Sequence, residues 1–149
     1  MDTLHLDFGN RSYDIVFSDS FSALTDEVRR TCGKGKMLLV TDSNVNRLYS
    51  EQVLELLGKA GLDARKFVFD AGEQSKNIEV LQSIYTACLS HQIDRGSTIV
   101  ALGGGVAGDM AGFAAATFMR GIRFVQVPTT LLAQTDSSVG GKVGIDFSG

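Results

Sequence analysis

Apolar and polar positions alternate twice near the start of the chain. Leu4-His5-Leu6-Asp7-Phe8 and Tyr13-Asp14-Ile15-Val16-Phe17 flank Gly9-Asn10-Arg11-Ser12, which predicts a β-hairpin. The period then lengthens to that of a helix: Phe21, Leu24 and Val28 follow the Ser/Asp cluster at 18–20. Lys36–Thr41 is a short apolar run of the kind found in buried strands. Val45, Leu48, Tyr49, Val53, Leu56, Leu57 and Ala60 trace one face of a helix that stops near Gly61. Arg65–Phe69 predicts the next strand, and Ile78, Leu81, Tyr85, Cys88 and Leu89 the next helical face. A strand over Thr98–Leu102 runs into a glycine turn that opens a helix over Met110–Ala116. Phe124–Val127 is a strand closed by Pro128, the only proline.

This alternation of strand and helix predicts an α/β fold: a mostly parallel sheet with helices on both faces, preceded by the hairpin. The segment Thr135–Gly149 is rich in Ser and Gly and weakly periodic, and reads as an active-site loop whose continuation is missing.

With 149 residues the chain is one domain by size and can bury about two-thirds of its unfolded surface. Its 44% hydrophobic and 21% charged residues are those of an ordinary soluble protein. A net charge of −3 without a dense Lys/Arg stripe argues against a nucleic-acid surface. No apolar run is long enough for a bilayer and no leader pattern opens the chain, so a cytoplasmic protein without membrane contact is expected. Cys32 and Cys88 lack CxxC spacing and His5 and His91 fall in unrelated places, so no metal site is expected within this chain. Cys88 reads as core filling.

The chemistry concentrates where Leu102 gives way to Gly103-Gly104-Gly105-Val106-Ala107-Gly108-Asp109. Glycines let a backbone approach a diphosphate closely, and the helix that follows offers unpaired N–H groups and a positive dipole end. Gly103-x-Gly105-x-x-Gly108 matches the dinucleotide fingerprint, but the strand after it ends in Gln126-Val127-Pro128 without a ribose-binding acid. Asp42, just beyond Lys36–Thr41, could supply that acid or simply cap the next helix. Glu73 and Lys76, in Gly72-Glu73-Gln74-Ser75-Lys76, could bracket a ribose or nicotinamide, or form a surface salt bridge. Asp109 falls in the first turn of the glycine-initiated helix as either a cap or a site carboxylate. Thr129, Thr130, Asp136 and Lys142 lie in a run dense in small polar groups, with Gly140-Gly141 before the lysine. Arg120 precedes the last strand on the opposite edge, where it is solvated or reaches a neighbouring subunit.

Thr41-Asp42-Ser43-Asn44, the Gly72–Lys76 block, Gly103–Ala115, Phe118-Met119-Arg120-Gly121-Ile122 and the whole of Pro128–Lys142, taken in order, resemble the 3-dehydroquinate synthase family over nearly the full chain. The resemblance implies a Rossmann-like NAD-binding domain over 1–149, with a helical domain that carries the metal and substrate ligands absent from this chain. It places Asp42 and Asn44 at the adenosine ribose, and Glu73 and Lys76 at further cofactor contacts. Gly104, Gly105 and Val106 would hold the diphosphate, and Asp109, Thr129 and Thr130 the nicotinamide end. Asp136 and Lys142 would face the substrate, Lys142 also the cofactor, and Arg120 the substrate phosphate of the partner in a homodimer.

The implied reaction converts 3-deoxy-D-arabino-heptulosonate 7-phosphate to 3-dehydroquinate and phosphate with catalytic NAD, in the shikimate route to aromatic amino acids. Zinc or cobalt would be bound by ligands outside this chain, and the chain by itself is expected to be inactive. Asp146 stands where the family commonly has Asn. Two alternatives stay open: a related sugar-phosphate cyclase of the 2-deoxy-scyllo-inosose synthase type, against which Gly140-Gly141 weighs, and a non-catalytic NAD-binding module.

Overall fold

Two of the apolar runs are buried along almost their whole length, as strands covered on both faces must be. These are β3 (Met37–Asp42) and β5 (Thr98–Gly103), and they form the centre of a four-stranded parallel sheet of order β4-β3-β5-β6, with β4 (Ala64–Phe69) and β6 (Arg123–Pro128) at its edges. The computed structural model describes residues 1–147. α1 (Ser22–Cys32) and α3 (Glu51–Lys59) cover one face through Val28, Val53 and Leu57 against Leu39, Val100 and Leu102. α4 (Ile78–Ser90) and α5 (Gly105–Thr117) cover the other through Ile84, Cys88, Met110 and Ala114 against Leu38, Val40, Ile99 and Ala101. The predicted α/β sheet with helices on both faces is therefore the observed fold.

The strand order adds what alternation alone does not contain. From β3 the chain crosses to β4 on one side, and from β5 it crosses to β6 on the other. The carboxyl ends of β3 and β5 thus form a topological switch point, where crossover helices diverge and leave a crevice.

Several boundaries differ from expectation. The first strand is β1 (Asp2–Leu6), paired antiparallel with β2 (Tyr13–Phe17), and not Leu4–Phe8. Asp7 Oδ1 accepts the Gly9 N–H at 3.0 Å and the Ser12 hydroxyl at 3.1 Å, which takes Asp7 and Phe8 into the loop. The helix predicted from Val45 to Ala60 is interrupted: α2 (Ser43–Val45) passes through a π-helical turn, Asn46–Ser50, before α3. Ser50 Oγ donates to the Asn46 carbonyl at 2.9 Å inside this turn. The wider turn breaks the apolar phase, and Leu48 is 67% exposed. α5 begins at Gly105, not Met110, because glycines that would cost stability in an isolated helix let this one lie close against β6 and the segment after it.

Candidate active site

Asp42 ends β3 and begins α2. Its Oδ1 accepts from Asn44 N at 2.8 Å and Val45 N at 3.0 Å, so the capping role is real. Its Oδ2 accepts no hydrogen bond among the described residues and lies 3.4 Å from where a Cβ on Gly103 would stand. Across the switch point, Gly104 is the N-cap of α5 and supplies no side-chain cap, so the first N–H groups of the helix stay open. Between them lies a cleft of about 300 Å³, lined by Asp42, Asn44, Val45, Phe69, Ala71, Gly72, Gly104, Gly105, Val106, Ala107 and Thr130.

Thr130 forms a further wall. Its Oγ1 accepts from Ala133 N at 3.2 Å, capping the turn that follows, and its Cγ2 sits 3.4 Å from a Cβ position on Gly104. The Thr129 N–H extends the strand pairing to Gly103 O at 2.9 Å. The expected loop over Thr135–Gly149 begins instead with a π-helical turn, Ala133–Ser137; Ser148 and Gly149 lie outside the described residues. That turn delivers Ser137 against the start of α5, its Oγ 3.3 Å from a Cβ position on Gly105. This hydroxyl is buried without a partner among the described residues. Sequence reasoning did not single out Ser137, although the density of small polar residues around it was the available signal.

Asp109 is not a cap. With α5 starting at Gly105, Asp109 falls beyond the first residues and meets Lys76, whose Nζ lies 2.8 Å from its Oδ2. Glu73 is a looser neighbour of Lys76 at 3.6 Å and its side chain is 68% exposed, so the surface-bridge reading fits it better than it fits Lys76. The hydrogen bond to Asp109 holds the Lys76 ammonium above the ordinary lysine range, against the desolvation that lowers it. Lys76 is therefore a charged donor at neutral pH.

The other expected site residues are not drawn into the cleft. Asp136 and Lys142 are exposed, and Lys142 forms no ion pair among the described residues. Arg120 is exposed beyond α5, before β6 and away from the strands' carboxyl edge, with φ of 50° at Met119 and 69° at Arg120. Cys88 is fully buried and its thiol is pushed up to about 11 by desolvation, in keeping with core filling. Among the described residues no group of three or more His, Cys, Asp or Glu side chains could hold a metal ion, and no helix is long and apolar enough to cross a membrane.

The open helix start, the free Asp42 oxygen and the unpartnered Ser137 hydroxyl fit a ligand that carries both an anionic diphosphate and hydroxyl donors. Residues 66–149 match the family model described as 3-dehydroquinate synthase N-terminal. The chain is 49% identical to the 3-dehydroquinate synthase of Acetivibrio thermocellus over 98% of its own length and 41% of that protein's. It is 50% identical to that of Ruminiclostridium cellulolyticum, over 93% and 39%. The chain thus spans about two-fifths of the length of these curated relatives. Its fold superposes with a TM-score of 0.89 on 2-deoxy-scyllo-inosose synthase complexed with carbaglucose-6-phosphate, NAD+ and Co2+, at 26% identity over 99% of this chain and 40% of that one. ValA, the 2-epi-5-epi-valiolone synthase of Streptomyces hygroscopicus with NAD+ and Zn2+ bound, superposes with 0.71 at 32% identity, over 76% of this chain and 32% of that one.

Proposed function

This chain belongs to the 3-dehydroquinate synthase family, and from that premise we propose that the cleft between β3 and β5 is its NAD site. The observation that carries the proposal is that Asp42, with Oδ2 unbonded among the described residues, and the uncapped start of α5 line one cleft at the switch point. The N–H groups of Gly104, Gly105 and Val106 would take the diphosphate, with the Ser137 hydroxyl as a further donor. Asp42, with Asn44 beside it, would accept from the hydroxyls of the adenosine ribose. Glu73, Lys76, Asp109, Thr129, Thr130 and Lys142 would complete the cofactor contacts toward the nicotinamide.

In the whole enzyme the substrate is the sugar phosphate 3-deoxy-D-arabino-heptulosonate 7-phosphate, which loses phosphate on the way to 3-dehydroquinate. Bound NAD would supply a transient hydride acceptor, and oxidation of one substrate hydroxyl acidifies the adjacent C–H so that phosphate can leave. Lys76 keeps its proton on Nζ because Asp109 stabilises the charged form, so it donates hydrogen bonds and does not act as a base. Asp136 and Lys142 would meet the substrate, and Arg120 its phosphate across a homodimer. Zinc or cobalt, polarising the oxidised oxygen, would be held by residues outside this chain. The setting is a cytoplasmic biosynthetic enzyme. An identity of 49% to a 3-dehydroquinate synthase, against 26% to the inosose synthase, favours this reading over the related cyclases.

Calorimetric titration of the chain with NAD, ADP-ribose and nicotinamide mononucleotide tests the site. Saturable binding of NAD and ADP-ribose, with the mononucleotide much weaker, is expected because the best-formed contacts are at the adenosine and diphosphate. Silence with both NAD and ADP-ribose overturns it.

A further inference from the structure

The segment that leads into Lys142 is tied to the body of the protein by side chains that the cofactor reading leaves unused. The N–H groups of Ser138 and Val139 close the preceding turn onto Ala133 O and Asp136 O, both at 3.0 Å. Beyond them the backbone leaves regular structure: Gly140 and Gly141 take φ of 94° and 73°, a left-handed path that strand or helix pairing cannot hold. Two long-range hydrogen bonds fix this path instead. Gln126 Nε2, from β6, donates to Ser138 O at 3.3 Å. The Gly140 N–H donates to Tyr13 Oη, from the hairpin, at 3.0 Å.

Both anchors are built for their place. Gln126 shares the α5-facing side of β6 with Phe124, and its Oε1 lies 2.8 Å from where a Cβ on Gly108 would stand. A glycine at 108 therefore admits the amide that reaches Ser138. The ring of Tyr13 stacks on Phe8 at 6.3 Å and 23°, which holds the phenol over the loop. Past Lys142, the Asp146 N–H donates to Lys76 O at 2.7 Å.

We infer that Gln126 and Tyr13 are positioning residues, which together hold the Ser138–Gly141 loop so that Lys142 is presented to the bound cofactor. The inference rests on the cofactor reading of Lys142, and its test separates the two. Gln126→Glu keeps the side-chain shape and removes the donor; Tyr13→Phe keeps the ring and removes the acceptor. In the 149-residue chain, 15N relaxation should give backbone order parameters near about 0.85 at Gly140, Gly141 and Lys142. Each variant should lower them below about 0.6 while the amides of Val100 and Leu102 stay in place. NAD affinity should fall roughly threefold to tenfold in Tyr13→Phe, and the same substitution in a Lys142→Ala background should cost nothing further, as residues acting through one another behave in a double-mutant cycle.

Unchanged order at Gly140–Lys142 in both variants overturns the inference, and so does an affinity loss that persists undiminished in the Lys142→Ala background. If Lys142→Ala binds NAD as tightly as the parent chain, the cofactor role of Lys142 falls. Presentation of Lys142 to the cofactor falls with it, whereas loss of order in the two variants would still establish them as the loop's anchors.

Discussion

Asp42 engages its two carboxylate oxygens differently, and substitutions can separate them. Oδ1 caps α2 with bonds of 2.8 and 3.0 Å, and because α2 continues through the π turn into α3, that cap serves the whole helical stretch. Replacing an N-cap of this kind by Ala costs about 1 kcal/mol, whereas Asn caps about as well as Asp. In a domain of this size about 1 kcal/mol corresponds to roughly 2–4 °C in Tm. Oδ2 has no protein partner among the described residues and is proposed to accept from ribose hydroxyls. Hydrogen bonds to a charged group are worth about 1.5–3 kcal/mol, or roughly 10- to 150-fold in Kd. Asp42→Asn should therefore melt within about 1 °C of the parent chain and still lose NAD affinity by roughly tenfold or more, while Asp42→Ala should lose both. Thermal melts and calorimetric NAD titrations on the three proteins decide it. If Asp42→Asn binds NAD as tightly as the parent, the carboxylate is a cap and nothing more.

The remaining predictions concern the framework around the cleft. Gly112→Ala should destabilise by about 1–3 kcal/mol in urea unfolding, because its Cβ would fall 2.2 Å from Val143 Cγ1 and 2.9 Å from Phe124 Cε1. Val143→Ala in the same chain should recover part of that loss, and no recovery would mean that Phe124 alone sets the limit. Lys76 has a folded-state pKa above its ordinary 10.5, so the stability it contributes is complete below that value and disappears as pH rises through the raised one. The unfolding free energy of the parent should then fall more steeply between about pH 9 and about pH 12 than that of Lys76→Met. Parallel curves would refute any contribution of the Lys76–Asp109 pair.

The β-α alternation was legible because the central strands are uninterrupted apolar runs and the crossover helices carry apolar faces of regular period. The turn out of β5 was legible because a glycine run directly after an apolar strand marks a sharp change of chain direction. Other features were hidden for identifiable reasons. The π turn at Asn46–Ser50 depends on hydrogen bonding within the helix and leaves the apolar count unchanged, so Leu48 looked like a core residue. Strand order is a property of pairing between segments distant in sequence, and it alone places Asp42 opposite Gly104. The Lys76–Asp109 pair and the Gln126–Ser138 and Tyr13–Gly140 bonds join residues from separate elements, for which no local pattern exists.

Structural and functional readings of a polar residue at such a site are not exclusive. Two backbone N–H groups fix Oδ1 of Asp42, and a planar carboxylate held at one oxygen has little freedom left at the other. Capping therefore fixes the orientation of Oδ2 as well, and ordering entropy that a mobile acid would lose on binding a ligand is already lost on folding. Thr130 follows the same logic: its Oγ1 caps the next turn while the rest of the side chain closes over Gly104. Asp109 holds Lys76 in the charged state and in place at once. Alanine substitution removes both consequences together at each position. An isosteric change such as Asp42→Asn, which leaves the fold's use of the residue largely intact, is what can isolate the contribution to the ligand.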